Sequence, residues 1–232
     1  TLSSANSINW ARLMPQIGYY FSTYVDLVNE EKIAMGDPVN FVVPTGNFGD
    51  ILAGEFARLM GLPVGKLVCA SNSNDVLVDF FKKGKYDSRR PFYKTVSPSM
   101  DILVSSNLER LLFLRTRDDA FVRDAMERLS SGGAYDCRDL MRVIGDCFYS
   151  GRCGEKETLA EIRHIFDEYG YCIDPHTAVA MHVCEEYQKT SGDNGVTVVL
   201  STASPFKFTD AVLRALGKEP AGDMFAQAKQ LA

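Results

Sequence analysis

The residues whose spacing carries the most chemistry lie in the string Phe41-Val42-Val43-Pro44-Thr45-Gly46-Asn47-Phe48-Gly49-Asp50. An apolar strand runs into a turn with two glycines, and a helix follows from Ile51. The first turn of a helix leaves backbone N–H groups unpaired, and its macrodipole favours an anion there. Gly46 and Gly49 have no Cβ, so a phosphate can approach the backbone closely, and either residue can take a positive φ. In open α/β sheets such a loop falls at the carboxyl ends of the strands, where ligands bind. No Gly-Lys-Ser/Thr follows, which excludes a nucleotide P-loop, and the glycine spacing is not that of the dinucleotide fingerprint. A strand-Gly-x-x-Gly-helix also serves as a plain tight turn, and spacing alone leaves both readings open.

Elements must hold this loop in place. Four runs read as buried parallel strands, at 40–43, 66–70, 101–104 and 196–200, each apolar or β-branched on both faces. Helical patterns separate them. Leu52, Phe56 and Met60 recur every fourth residue, and Gly61-Leu62-Pro63 stops that helix. Asn74 is a candidate N-cap for a helix through Phe80 and Phe81. Residues 7–28 form a longer helical pattern, with a kink or a break expected at Pro15. From Asp118 to Gln188 the chain reads as consecutive helices with a turn at 130–134, the last helix starting at Pro175 after Asp174. Strands alternating with helices predict an α/β fold: an open, mostly parallel sheet covered by helices.

Composition narrows the class. The chain has 232 residues, 46% hydrophobic and 24% charged, enough for a substantial core. No apolar run approaches the roughly 20 residues of a membrane-spanning helix, and no membrane partner is expected. The formal charge is −5, so no nucleic-acid partner is expected from bulk charge. One stretch runs against that balance: residues 82–94 hold six basic residues and one acidic, and read as a solvated surface loop. The six cysteines (Cys69, Cys137, Cys147, Cys153, Cys172 and Cys184) contain no C-x-x-C pair, and Cys69 and Cys172 sit in strand-like surroundings. They read as reduced thiols of a cytoplasmic protein, with no metal site among them. The chain opens on Thr1, with neither an initiator Met nor a signal peptide, and part of a longer protein is expected.

The full string Thr45-Gly46-Asn47-Phe48-Gly49-Asp50 resembles the phosphate loop of pyridoxal-phosphate enzymes with the tryptophan-synthase-β-like fold, and within them the threonine synthases. Four further segments match that family in order. They are Ser3-Ser4-Ala5-Asn6-Ser7-Ile8-Asn9-Trp10-Ala11-Arg12, Ser97-Pro98-Ser99-Met100-Asp101-Ile102, Ile173-Asp174-Pro175-His176-Thr177-Ala178-Val179-Ala180, and Leu200-Ser201-Thr202-Ala203-Ser204-Pro205-Phe206-Lys207-Phe208. The resemblance thus spans nearly the whole chain, as the large cofactor-binding domain with a helical insertion at about 118–170. It implies that Gly46, Asn47, Phe48 and Gly49 hold the phosphate of pyridoxal 5'-phosphate through main-chain N–H groups. Thr202 would set its hydroxyl against the pyridine nitrogen. The implied substrate, O-phosphohomoserine, brings a second phosphate, and Ser7 and Arg12 match the positions that contact it. Asp50 stands where relatives often have Asn. A carboxylate there would repel a phosphate unless protonated, so its contact with substrate is doubtful. His176 lies within a matching motif and is assigned no proton transfer.

The implied reaction is loss of phosphate from O-phosphohomoserine and addition of water at Cβ, giving threonine. It needs a lysine that forms a Schiff base with the cofactor. In the family that lysine lies between Phe and Asp, upstream of Asn-Ser-Ile-Asn, and so is expected before Thr1, in a missing amino-terminal part of the same polypeptide. Lys207 follows a Phe but belongs to the carboxyl-terminal motif, and is rejected as nucleophile. On that reading the chain alone is inactive. The alternatives are another lyase of the fold, of the serine/threonine dehydratase or cysteine synthase type, or a truncated relative that binds a phosphorylated ligand without chemistry.

Overall fold

The strand expected at 40–43 is β1 (Val39–Pro44), buried at every residue. In the computed structural model, which describes residues 6–232, β1 lies inside a four-stranded parallel sheet. Residues 1–5, including Ser3, Ser4 and Ala5 ahead of the Asn-Ser-Ile-Asn segment, lie outside the described residues. The chain runs α1 (Trp10–Asn29), β1, α2 (Gly49–Leu59), β2 (Val64–Ser71), α3 (Val76–Lys83), β3 (Lys85–Asp87) and α4 (Leu108–Thr116). Then come α5 (Asp119–Gly132), β4 (Ala134–Asp136), α6 (Met141–Ile144), β5 (Phe148–Arg152), α7 (Glu155–Tyr169) and α8 (Pro175–Ser191). β6 (Thr197–Val199), α9 (Thr209–Ala215) and α10 (Met224–Leu231) complete it.

The sheet order is β5-β2-β1-β6, with Phe41 opposite Leu67 and Val198. Side chains alternate between its faces. Val39, Phe41 and Val43 enter a core with Leu52 of α2 and Phe80 of α3. Val42, Val68 and Ala70 enter a second core with Val179, Ala180 and Val183 of α8. Over the first face, α1 packs across α2, and Tyr20 meets Phe41 edge-on at 4.9 Å between ring centroids. Behind α8, Ile162 and Ile165 of α7 meet Val212 of α9 in a third cluster. The polypeptide thus has helices on both faces of a parallel sheet, as predicted.

Several local expectations need correction. Residues 101–104 form no strand; they follow a 3-10 turn at Pro98–Met100. Asp101 N and Ile102 N bond back to Pro98 O and Met100 O instead of to a ladder, and the Tyr86 hydroxyl donates to Leu103 O at 3.0 Å and accepts from Ser105 N just beyond at 2.8 Å. Residues 118–188 are not consecutive helices, because β4 and β5 interrupt them. β5 completes the main sheet beside β2, and β4 pairs antiparallel with β3. Of the two outcomes expected at Pro15 the break does not occur, since Pro15 lies within α1. α2 starts at Gly49, two residues before the expected Ile51, and Met60 is exposed beyond its end; the buried face runs through Ile51, Leu52, Ala53 and Ala57. Asp75, not Asn74, precedes α3. The Asn74 amide instead donates to Tyr93 O and Asp101 Oδ1. The turn placed at 130–134 is narrower, for α5 runs to Gly132 and only Gly133 turns left-handed. Cys172 lies between α7 and α8, outside any strand.

The basic stretch is not a plain loop either, since it contains the end of α3 and all of β3. Arg90 bridges Asp75 and Asp79 at 2.7 and 2.6 Å, and Arg89 pairs with Asp87 at 2.7 Å. Carboxylates on and just before α3, with Asp87 of β3, thus answer much of its charge. All six cysteines are free thiols, and burial pushes Cys69, Cys137, Cys147 and Cys153 up to about 12. Among the described residues no helix is long and apolar enough to cross a membrane, and no three acidic, histidine or cysteine side chains gather around a metal-sized point.

Candidate active site

β1 ends at Pro44 and the chain turns through 45–48 into α2, while β6 ends beside it at Val199. The two strand ends and the start of α1 enclose a cavity of about 1000 Å³. That volume suits a small-molecule site at the carboxyl edge of a parallel sheet. Ser7, Arg12, Gly46, Asn47, Phe48, Gly49, Asp50 and Thr202 all line it. The eight positions come from three segments far apart in sequence, and the fold brings them together.

The turn itself differs from the expected one. The positive φ falls on Phe48, at 63°, and on neither glycine. Gly46 is required for a different reason, because a Cβ there would stand 2.6 Å from Ser99 O. At Gly49 the nearest heavy atoms to such a Cβ are Asn107 Nδ2 at 3.5 Å and Ser7 O at 3.8 Å, ordinary contacts, so space alone does not require glycine there. The carbonyl of Gly46 accepts from Ser105 Oγ at 2.8 Å, and that of Asn47 accepts from Asn107 Nδ2 at 2.8 Å. In a trans peptide the N–H points opposite to the C=O, and there are no cis bonds among the described residues. The N–H groups of Asn47 and Phe48 therefore point away from Ser105 and Asn107, which do not line the cavity. With the N-terminus of α2 alongside, this is a donor set suited to a phosphate.

Asp50 lies at the cavity wall. Burial pushes its carboxyl up to about 6, against the Tyr20 hydrogen bond and the Arg12 charge, which both lower it. The Tyr20 hydroxyl donates to Asp50 O at 2.8 Å and lies 3.3 Å from Oδ1. A carboxyl that titrates so near neutrality can face an anion at less cost than an ordinary one.

His176 is a buried residue of the cavity wall. Its Nε2 accepts from Ser99 N at 3.2 Å, so the proton sits on Nδ1 and faces Asp174 Oδ1 at 2.8 Å. Burial would raise Asp174, but hydrogen bonds from His176 and Thr177 outweigh it and hold the carboxyl below its usual value. Asp174 also caps α8 through the His176 N–H. Thr177 continues the chain of contacts to Ser201 Oγ at 3.3 Å, next to Thr202. Lys207 lines the cavity as its one lysine among the described residues, exposed at the end of a 3-10 turn at Pro205–Lys207. Sequence reasoning missed Ser105, Asn107 and Tyr20. Ser105-Ser106-Asn107 before α4 was the available signal, hidden by reading a strand just ahead of it.

Compared with solved structures, the chain superposes on the pyridoxal-phosphate-bound threonine synthase of Brucella melitensis with a TM-score of 0.86 and 42% identity, over 99% of this chain and 48% of that one. The fold is therefore that of the tryptophan-synthase-β-like α/β proteins. A family profile described as "Threonine synthase, C-terminal" matches residues 177–232. Threonine synthase-like 1 of Mus musculus is 46% identical over 219 residues, 93% of this chain and 29% of the mouse protein. The threonine synthase of Methylobacillus glycogenes is 41% identical over 225 residues, 94% of this chain and 46% of that protein. The chain is similar to the threonine synthases along nearly all of its own length, and it spans half or less of the length of these relatives.

Proposed function

We propose that the polypeptide carrying this chain is a threonine synthase, converting O-phospho-L-homoserine and water into L-threonine and phosphate with pyridoxal 5'-phosphate. The observation that carries this reading is the convergence of two anion-suited elements on one cavity: the 45–49 turn with outward N–H groups, and Ser7 with Arg12 at the start of α1. The site fits the cofactor by its donor set and by the close backbone approach at Gly46, where a Cβ would stand 2.6 Å from Ser99 O. Bound there, the cofactor supplies an electron sink for the pair left when a proton leaves carbon. The main-chain N–H groups of residues 46–49 hold its phosphate, and Thr202 sets a neutral hydroxyl against its ring nitrogen. Arg12 and Ser7 orient the substrate phosphate and steady it as a leaving group. Asp50 stays close to that phosphate only in its protonated form.

On this reading residues 1–232 are the carboxyl-terminal, large-domain part, with the mostly helical stretch at about 118–170 as an insertion. The cofactor-bearing lysine belongs to another part of the polypeptide, which is this chain's partner in the site. Support comes from Lys207, which is exposed, whereas a nucleophilic lysine is made reactive by desolvation. Six unpaired thiols, five of them buried, favour a cytoplasmic setting. A second reading, a phospho-ligand-binding protein without turnover, is favoured by the high identity to a mammalian protein named only threonine synthase-like.

Phosphate release from O-phosphohomoserine by the full-length protein with cofactor decides between them. Arg12→Ala is expected to raise KM about tenfold or more, the loss of a charge-assisted phosphate contact. Cofactor binding with no release supports the second reading, and turnover by residues 1–232 alone overturns the placement of the lysine.

A further inference from the structure

Asn107 stands immediately before α4, where an asparagine side chain ordinarily caps the helix. It is fully buried and makes no capping bond. Its Nδ2 donates instead to Asn47 O at 2.8 Å and Ser7 O at 2.9 Å, using both amide hydrogens. Its own N–H donates to Asn47 O as well, at 3.1 Å. Its Oδ1 accepts from Arg110 Nη1 at 2.9 Å, and Arg110 Nη2 reaches Ile8 O at 2.7 Å. A single side chain thereby joins the cofactor-phosphate turn to the segment ahead of α1. Ser105, two residues earlier, bonds only to Gly46 O through its hydroxyl.

We propose that Asn107 is a positioning residue that fixes the separation and aim of the two phosphate sites, touching neither phosphate itself. By drawing the Asn47 carbonyl inward it turns the Phe48 N–H outward, and by drawing the Ser7 carbonyl inward it sets where Ser7 enters the cavity. Ser105 does the first of these jobs for the Asn47 N–H and has no hold on the second. The inference rests on the threonine synthase reading of the cavity.

The test uses full-length protein at a temperature where wild type and variants are all folded by circular dichroism. Asn107→Asp keeps the shape but sets acceptor-only oxygens against two carbonyls. It should weaken binding of pyridoxal 5'-phosphate to the apoprotein about tenfold and raise KM for O-phosphohomoserine about tenfold at saturating cofactor. Ser105→Ala should weaken cofactor binding and leave that KM within twofold. In ligand-free protein, hydrogen exchange should speed up together in the first turns of α1 and α2 for Asn107→Asp, and in α2 alone for Ser105→Ala. A folded Asn107→Asp with both constants at wild type, or with only one altered, overturns the proposal. Should Asn107→Asp not fold, Arg110→Ala removes the donor that holds Asn107 Oδ1, and with it the aim of the amide that grips both segments, and should give the same paired change, smaller; wild-type constants there overturn the proposal too. A wild-type protein that binds no cofactor defeats the functional reading, and the joint exchange pattern then still decides the role of Asn107.

Discussion

Phe48 shows how the phosphate turn keeps its shape. A left-handed backbone costs a non-glycine residue roughly 1–2 kcal/mol. Its ring is 1% exposed, stacked on Phe81 at 6.0 Å and tilted on Phe148 at 5.8 Å. Burying a phenylalanine contributes about 1.5–3 kcal/mol, so packing outweighs the strain. The site's location was legible from Gly46 and Gly49, but which residue bears the odd backbone was not, because that depends on ring packing far along the chain. Asp50 gives a prediction at the same scale. An acid whose folded value, about 6, exceeds its ordinary 3.8 binds more protons folded than unfolded. Stability therefore falls as pH rises from about 4 to about 6, and the loss is complete above that. Asp50→Asn should remove this slope and gain on the order of 1–3 kcal/mol at pH 7, with little gain at pH 4. Urea denaturation at both pH values checks it, and an equal gain at both refutes it.

At the scale of elements, the strands legible in sequence were those built from β-branched runs: β1, β2 and β6. β5 was not, because Ser150 and Gly151 break its apolar pattern. The structure supplies the reason, since a Cβ on Gly151 would stand 2.7 Å from Val183 Cγ1 of α8. A glycine inside a strand marked a close approach of helix to sheet. Residues 101–104 misled in the opposite sense, with strand-like side chains whose backbone is taken up by the turn ahead of it and by Tyr86. Gly54 is a second such contact, on the other face: its Cβ would meet the Tyr20 ring at 2.7 Å and Leu67 at 2.9 Å. Tyr20 is buried and pinned by its hydroxyl, so it cannot yield. Gly54→Ala should gain about 1 kcal/mol of helix propensity and lose about 1–3 kcal/mol to overpacking, a net fall in melting temperature. Tyr20→Ala in the same background should recover part of the clash, whereas an unchanged melting temperature for Gly54→Ala alone would show that α1 can lift off α2.

For the whole molecule, the fold class followed from alternating strands and helices, and the relation to threonine synthases from five ordered motifs. The coupling of distant segments through Asn107 did not, because no local pattern marks a side chain used a hundred residues away. One face of the sheet depends on α8, which packs on all four strands. A chain ended at residue 174 should leave Val42, Val68 and Ala70 uncovered and behave as a dye-binding, poorly packed state. A sharp near-ultraviolet dichroism spectrum for that truncation would contradict this. The same arrangement sets a schedule for synthesis. β1 and β2 leave the ribosome about 120 residues before α8 is complete, a delay of roughly 6–24 s at ~5–20 residues per second. For that interval an apolar sheet face is bare in a crowded cell, so the nascent chain is a client for chaperones whatever the finished protein's stability.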